Sequence, residues 1–179
     1  IFHTILVTGA NGFIGRHLIP ALQKKNIRVI TAIRDDRAHC ELKEFLTPES
    51  FLAIKPILVG QVDEETCWQD ALQGVDTVVH LAAYAHVQSD NVKEKEVKDR
   101  FFKTNSDGTV NLARQSARAG AKHFIFVSSV FAMASFSRHP LTESGACKPD
   151  TSYGQSKLKA ENGLIAASRD SSMAWTILR

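Results

Sequence analysis

Three side chains in the second half of the sequence could exchange a proton with a bound molecule. Tyr153 precedes Lys157 by four residues in the segment TSYGQSK, and Ser129 comes earlier, in FVSSV. Residues four apart share one face of a helix, so the lysine ammonium would stabilise a tyrosine phenolate. Such a phenolate accepts and returns a proton in redox chemistry, and a serine hydroxyl would bind the same oxygen. The tyrosine–lysine spacing by itself also occurs by chance on helix surfaces.

A glycine-rich turn near the start could bind a phosphate group. The segment TILVTGANGFIGRHL carries Gly9, Gly12 and Gly15 between a strand-like run and a helix-like run. Glycine permits a sharp turn, a close approach of backbone amides to a pyrophosphate, and tight packing of helix on strand. The GxxGxxG spacing is wider than the usual GxGxxG, and a plain tight turn is the alternative. Its position after the first strand and before a helix favours a dinucleotide site.

The choice between NAD and NADP depends on the end of the second strand, about 20 residues after the glycines. The sequence there is AIRDD, with Arg34 followed by Asp35 and Asp36. An arginine suits the 2′-phosphate of NADP, whereas an acidic residue accepts a hydrogen bond from the ribose of NAD. A solvated run of charges is the third possibility. The residues therefore leave both cofactors open, with Arg34 favouring NADP.

Strand-like and helix-like runs alternate along the chain. Strands are predicted over residues 4–9, 27–33, 55–60, 76–83, 122–129 and 173–178. Helices are predicted over 13–25, 40–46, 64–74, 93–119 and 151–168, with a kink at Pro20, an end at Gly74 and a cap at Ser152. Apolar strands that alternate with helices predict an α/β fold with a doubly wound parallel sheet, Rossmann-like, in one domain over 1–179.

Composition argues against several other classes of protein. The 179 residues are 44 % hydrophobic and carry a net charge of +3, too little to indicate nucleic-acid binding. Cys40, Cys67 and Cys147 are odd in number and far apart, as expected for reduced thiols in the cytoplasm. No apolar run reaches the roughly 18 residues of a membrane span, and the start does not resemble a signal peptide. No metal site is predicted.

The motifs together carry a family resemblance over essentially the whole sequence. The segments are VTGANGFIG, HLAA at 80–83, FFKTNSDGTVNLARQSARAG at 101–120, FVSSV and YGQSK. With them the chain resembles the extended short-chain dehydrogenase/reductase superfamily, and within it the NAD-dependent epimerase/dehydratase family that acts on nucleotide sugars. The resemblance implies a catalytic set of Ser129, Tyr153 and Lys157, in which the last two also contact the cofactor.

The same resemblance implies roles in cofactor binding for residues elsewhere in the chain. The pyrophosphate would lie among Gly9, Asn11, Gly12, Phe13, Ile14 and Gly15. The dinucleotide would also contact Arg34, Asp63 at the adenine, Leu81, Ala82, Ala83 and, as a brace of the site, Asn105. Asp63 could instead only cap the helix predicted at 64–74, and Asn105 could be an ordinary polar residue of its helix.

Other residues near these motifs receive weaker interpretations. His80 is assigned to the core, and Tyr84 and His86 lie in a loop that could meet substrate. Where family members carry a hydroxyl and then a glycine after the serines, this chain has VFAMAS, with Phe131 and Ala134 at those positions. The substrate side of the site therefore departs from the family pattern.

The function expected from the resemblance is a nucleotide-sugar 4-epimerase that works through a 4-keto intermediate with bound NAD. An NADPH-dependent reductase of a 4-keto sugar or another carbonyl compound is the first alternative, and a dinucleotide-binding module without turnover is the second. The expected partners are a nucleotide-sugar substrate and a second copy that docks through the helices near 93–119 and 151–168. Family chains continue past ILR into a substrate-binding lobe, so we expect this chain to be truncated before that lobe.

Overall fold

The computed structural model describes residues 3–85 and 94–179, and six parallel strands within them form one sheet. The strands are β1 (Thr4–Thr8), β2 (Arg28–Ile33), β3 (Ile54–Leu58), β4 (Thr77–His80), β5 (His123–Val127) and β6 (Ala174–Leu178). Their spatial order is β3–β2–β1–β4–β5–β6. Val7 of β1 is paired with Thr31 on one side and with Val79 on the other. The strand order reverses between β1 and β4, where sheets of this kind bind ligands.

Helices cover both faces of the sheet. They are α1 (Phe13–Gln23), α2 (Asp36–Phe45), α3 (Pro48–Leu52), α4 (Glu94–Arg100), α5 (Thr109–Arg118) and α6 (Ser152–Ser168). A π-helix (Phe101–Gly108) joins α4 to α5, and a 3₁₀ turn (Val130–Ala132) follows β5. Alternate residues of β1 point to opposite faces, so Leu6 packs into one apolar cluster with Phe124 and Leu164, and Val7 into another with Ile19 and Leu42. The predicted doubly wound parallel sheet is confirmed.

The helix predicted over 64–74 is wrong, because turns occupy this segment. Side chains of α5 form hydrogen bonds with backbone groups of this segment that would be paired with one another in a helix. Asn111 and Gln115 donate to the Thr66 carbonyl, and the Trp68 amide donates to Gln115 Oε1 at 2.9 Å. Trp68 is fully buried, so the segment is anchored to the core as a series of turns. Gly74, at φ +66°, ends one of these turns rather than a helix.

Four other predicted helices differ from the structure in their ends, caps or continuity. The one predicted at 40–46 begins earlier, because Asp35 caps α2 by accepting from the Ala38 amide. The one predicted at 93–119 is interrupted by the π-helix, and residue 93 lies outside the described residues. Thr151, not Ser152, caps α6 by accepting from the Gly154 amide. Pro20 lies inside α1, which ends at Gln23 instead of 25.

Membrane-spanning helices and clusters of metal-binding side chains are both absent from residues 3–85 and 94–179. No helix among them is both long and apolar enough to cross a membrane. The same residues hold no group of three or more His, Cys, Asp or Glu side chains arranged to bind a metal ion.

Candidate cofactor cleft and catalytic helix

A cleft of about 580 Å³ opens at the carboxyl ends of β1, β2 and β4. Seven of the predicted cofactor residues line it, namely Gly9, Asn11, Gly12, Arg34, Leu81, Ala82 and Ala83. The predicted residues that do not line it are Phe13, Ile14, Gly15, Asp63, Asn105, Ser129, Tyr153 and Lys157. The cleft therefore unites predicted residues from positions 9 to 83, as expected where the carboxyl ends of parallel strands meet at one sheet edge.

Close backbone packing at the turn excludes side chains from two of the three glycine positions. Gly9 has φ +65°, and a Cβ there would lie 2.7 Å from the Ala82 amide nitrogen. A Cβ at Gly15 would lie 2.5 Å from the Ala10 carbonyl oxygen, so α1 packs directly on the turn. Only the Gly9 carbonyl, at 3.1 Å, lies near the corresponding Cβ position of Gly12. Sterics thus explain Gly9 and Gly15 without reference to a ligand.

The start of α1 is suited to an anion. No side chain caps it at Gly12, and its first turn carries no acidic residue. The first amides of a helix lack partners within it, and the helix dipole adds positive charge there. Phe13 and Ile14 stand at this end with exposed side chains. The arrangement fits a dinucleotide pyrophosphate bound by backbone amides, to which Phe13 and Ile14 would contribute main-chain groups rather than side chains.

Arg34 and Asp35 pair with one another at the end of β2. One carboxylate oxygen of Asp35 accepts from the Ala38 amide at 2.8 Å, and the other accepts from Arg34 Nε at 2.9 Å. The Ala38 amide and the Arg34 guanidinium hold the pKa of Asp35 below its usual value. Arg34 lines the cleft, whereas Asp35 does not. Arg34, rather than Asp35, therefore borders the cleft at the strand end where folds of this kind bind a ribose.

Asp63 lies beside the cleft with its carboxylate already engaged. It accepts from the Glu65 amide and the Thr66 hydroxyl, and one oxygen lies 3.3 Å from Lys103 Nζ. Burial pushes the pKa of Asp63 upward, but these three donors outweigh burial and lower it. Gln61, in the segment after β3, lines the cleft, as does Lys103. Sequence reasoning missed Gln61, although its place three residues after the end of β3 could have indicated it. An adenine contact by Asp63 stays a prediction.

Asn105 clamps the segment that follows β4. Its Oδ1 accepts from the Tyr84 amide at 2.7 Å, and its Nδ2 donates to the Tyr84 carbonyl at 2.9 Å and to Ser156 Oγ at 3.2 Å. Asn105 is buried in the π-helix, so it joins this segment to α6. Tyr84 lines the cleft, and His86 lies outside the described residues. The geometry fits a bracing role for Asn105.

Lys157 is a cation almost without exposure to solvent. Its side chain lies beneath β5, where Nζ donates to the Val127 carbonyl at 2.8 Å and sits 4.1 Å from the centroid of the Phe126 ring. Burial lowers the pKa of Lys157 from 10.5 to about 8, against the opposing effect of the Glu161 carboxylate. The pKa of Lys157 is thus close to neutral pH, and its ammonium lies one helical turn after Tyr153.

Tyr153, in the first turn of α6, and Ser129, just after β5, both lie next to Phe131. The ring of Tyr153 lies between those of Phe101 and Phe131, with centroids 5.6 and 6.2 Å away. A Cβ at Gly154 would overlap the Phe131 carbonyl, so α6 begins directly against the 3₁₀ turn. Ser129 caps that turn by accepting from the Phe131 amide at 3.2 Å. Phe131 therefore borders both groups, at the position where the sequence departs from the family pattern.

A second buried charge lies one turn further along α6. Glu161 accepts from Ser128 Oγ at 2.5 Å and pairs with Arg179, whose Nη2 lies 2.6 Å from Oε2. The hydroxyl of Ser128 is therefore bound to the Glu161–Arg179 ion pair and is not directed toward the site of Tyr153. Ser129 and Ser128, adjacent in sequence, end with separate partners because neighbouring residues at a strand end point in opposite directions.

Comparisons with known proteins agree with this arrangement. The chain matches the sequence model of the NAD dependent epimerase/dehydratase family over residues 5–179. It is 33 % identical over 178 residues to a UDP-glucose 4-epimerase of Vibrio cholerae, covering 98 % of this chain and 50 % of that protein.

Two solved structures have the same fold over nearly the whole chain. A short-chain dehydrogenase/reductase superfamily protein from Agrobacterium tumefaciens with bound NAD has a TM-score of 0.76 and 29 % identity, covering 99 % of this chain and 48 % of that one. MoeE5 in complex with UDP-glucuronic acid and NAD has a TM-score of 0.78 and 25 % identity, covering 98 % and 54 %.

The chain spans about half the length of these relatives. Within that half, the match includes the glycine turn, the strand ends and the tyrosine–lysine helix. This chain belongs to the NAD dependent epimerase/dehydratase family of the short-chain dehydrogenase/reductase superfamily.

Proposed function

We propose that the protein is a nucleotide-sugar 4-epimerase that uses bound NAD. The single observation that carries the proposal is that the carboxyl edge of the sheet holds both the open glycine cleft, at β1, β2 and β4, and the buried ammonium of Lys157, at the end of β5 and one helical turn after Tyr153. The Vibrio cholerae relative, named as a UDP-glucose 4-epimerase, supports the reaction. MoeE5, solved with UDP-glucuronic acid and NAD, supports the class of substrate.

The residues of this chain have distinct parts in the reaction. NAD, when bound, supplies the acceptor for the hydride at C4 of the sugar. Tyr153, as phenolate, takes the proton of the C4 hydroxyl, and Ser129 donates a hydrogen bond to the same oxygen as charge develops. Lys157 stabilises the phenolate by its charge. Tyr153 would return the proton to the same oxygen once the 4-keto sugar has turned its other face to the cofactor.

A tyrosine replacement tests the proposal directly. Tyr153→Phe in the full-length protein keeps the ring between Phe101 and Phe131 and removes only the hydroxyl. We expect interconversion of UDP-glucose and UDP-galactose to fall by about 10³-fold, as for loss of a general acid–base. Tyr84→Phe removes the same atom from the other tyrosine, and its loss should be at least about tenfold smaller. Undiminished turnover in Tyr153→Phe would contradict the assignment of Tyr153 as the general acid–base.

Arg34 favours a second candidate, an NADPH-dependent reductase of a 4-keto nucleotide sugar or another carbonyl compound. Arg34 lines the cleft, and its partner Asp35 is engaged as the cap of α2. The same three catalytic side chains would serve one direction of the reaction. Net consumption of reduced cofactor with a keto substrate supports the reductase, whereas interconversion without net consumption supports the epimerase. Binding of dinucleotide without either outcome supports a module without turnover.

Three features of the whole protein belong to the same proposal. They are a substrate-binding lobe beyond residue 179, a homodimer that docks through α4, α5 and α6, and a location in the cytoplasm. Sedimentation of the full-length protein tests the dimer. A sedimenting mass of one chain at micromolar concentration would contradict it.

A further inference from the structure

We propose that His80 is a positioning residue, which holds the floor of the cofactor cleft through one directed chain of buried hydrogen bonds. This inference rests on the proposed use of the cleft by a dinucleotide. The groups in this His80 chain belong to Thr8, His80, Leu81, Ala82, Asn105 and Thr109. They link β1, β4, the segment after β4, the π-helix and α5.

The direction of the chain follows from the single proton of the Thr8 hydroxyl. The Ala82 amide donates to Thr8 Oγ1 at 3.2 Å, and the Leu81 amide is shared between Thr8 Oγ1 at 3.2 Å and the Thr8 carbonyl at 3.3 Å. A hydroxyl that accepts twice has one proton left to donate. That proton goes to His80 Nδ1 at 2.6 Å. Nδ1 therefore carries no proton of its own.

The remaining steps are fixed in turn. Neutral imidazole with a bare Nδ1 carries its proton on Nε2, which donates to Thr109 Oγ1 at 2.9 Å. The Thr109 hydroxyl donates to the Asn105 carbonyl at 2.7 Å. Every donor in this line meets an acceptor, so the chain is satisfied in one arrangement only. The side chain of Asn105 then holds Tyr84, at the other end of the cleft segment.

The segment held by the His80 chain is the surface against which the glycine turn packs. Leu81 and Ala82 line the cleft, and a Cβ at Gly9 would lie 2.7 Å from the Ala82 nitrogen. A rotation about the Cα–Cβ bond of Thr8 would take Oγ1 away from both amides, leaving the Leu81 amide only the Thr8 carbonyl at 3.3 Å. His80 prevents this by accepting the Thr8 proton, although it does not line the cleft itself.

A charged imidazole is incompatible with this arrangement. Protonated His80 would donate from both nitrogens, and Thr8 could accept from it only by releasing an amide. Phe124 and Phe126 of β5 pack against the ring, and Lys157 on α6 is the charged group that acts on it. Burial and the Lys157 charge lower the pKa of His80 to about 3. His80 therefore stays neutral across the working range of pH.

Two replacements distinguish the effect of the hydrogen bonds in the His80 chain from the effect of core packing. His80→Phe keeps an aromatic ring against Phe124 and Phe126 but removes both nitrogens. Thr109→Val keeps the shape of the side chain and removes its hydroxyl. In the full-length protein we expect each to weaken NAD or NADP binding by about tenfold, measured by calorimetry. Thr109→Ser, which retains the hydroxyl, should recover most of the loss.

Ser116→Ala serves as the matched control, because it also deletes a buried hydroxyl of α5. Ser116 Oγ donates to the Leu112 carbonyl at 2.7 Å and takes no part in the His80 chain. We expect its loss to lower stability without a change in dinucleotide affinity. Equal affinity losses for Ser116→Ala and Thr109→Val would overturn the positioning role. So would wild-type affinity in folded His80→Phe.

Nitrogen-15 spectra of the imidazole test the chain without any cofactor. We expect one tautomer, with the proton on Nε2, and no titration between about pH 5 and 8. The other tautomer, or protonation within this range, would overturn the inference. If the wild-type protein binds no dinucleotide at all, the proposed function fails, while the imidazole spectra still decide whether the His80 chain exists.

Discussion

At the glycine turn, residues 9–15, the groups suited to binding are backbone amides, whereas on α6 the groups suited to chemistry are side chains. The turn depends on the absence of Cβ atoms, since those of Gly9 and Gly15 would meet backbone at 2.7 and 2.5 Å. The helix depends on burial of a charge, since Lys157 lies under β5 with 1 % of its surface exposed. Shape therefore limits substitution in the first region, and electrostatics limits it in the second.

The largest expected effect comes from a methyl group at the turn. Gly9 and Gly74 have nearly the same φ, +65° and +66°, but nothing lies within 4 Å of a Cβ at Gly74. Gly74→Ala should cost about 1 kcal/mol of unfolding free energy, from backbone strain alone. Gly9→Ala adds a clash with the Ala82 backbone, and we expect about 4 kcal/mol. Urea unfolding of both variants makes the comparison, and equal losses would refute the role of close packing.

The next effect concerns the pH dependence that burial of Lys157 creates. The unfolded chain binds the lysine proton up to pH 10.5, and the folded chain only up to about pH 8. Unfolding therefore takes up a proton between these values, and the free energy of unfolding rises with pH across this window, by on the order of 3 kcal/mol. Below about pH 8 both states are protonated and the full cost of burial remains.

Lys157→Met removes this dependence while keeping an aliphatic side chain under β5. The unfolding free energies of wild type and Lys157→Met should converge or cross as pH rises from about 8 to 10.5, since the wild type alone gains. Guanidinium unfolding at several pH values measures the difference, which cancels the titration of other groups. Parallel curves for the two proteins would show that the ammonium is not desolvated as described.

The smallest effect concerns the cap that begins the catalytic helix. Thr151 Oγ1 accepts from the Gly154 amide at 3.0 Å, so Thr151→Ala should cost about 1 kcal/mol. Ser152→Ala, one residue later, should stay within about 0.5 kcal/mol of wild type. Thermal unfolding ranks the two. The reverse order would place the start of α6 one residue further along and return the cap to Ser152.

Sequence patterns predicted the sheet better than the helices, for a physical reason. Apolar strands such as ILV and VITAI are buried on both faces, so local composition indicates them directly. The segment 64–74 has helix-like composition, yet Asn111 and Gln115 bond its backbone from more than 40 residues away. Long-range competition of this kind is absent from the local pattern.

The candidate site was predictable to a similar extent. Gly9, Gly12, Arg34 and the residues after β4 follow from strand ends, and they line the cleft. Gln61 was missed because no charge or motif distinguishes it from its neighbours. The sequence assigned His80 to the core but did not indicate its hydrogen bonds, because its partners Thr8 and Thr109 lie 72 and 29 residues away in sequence.

One measurement tests the central claim most directly, that the glycine cleft and the tyrosine–lysine helix act on one dinucleotide. Full-length protein loaded with NAD is mixed with a nucleotide sugar, and the near-ultraviolet absorbance of reduced nicotinamide is followed over a single turnover. We predict that it appears in the wild type and is at least about 10²-fold slower in Tyr153→Phe at equal bound NAD. The same rate in both proteins would contradict the account.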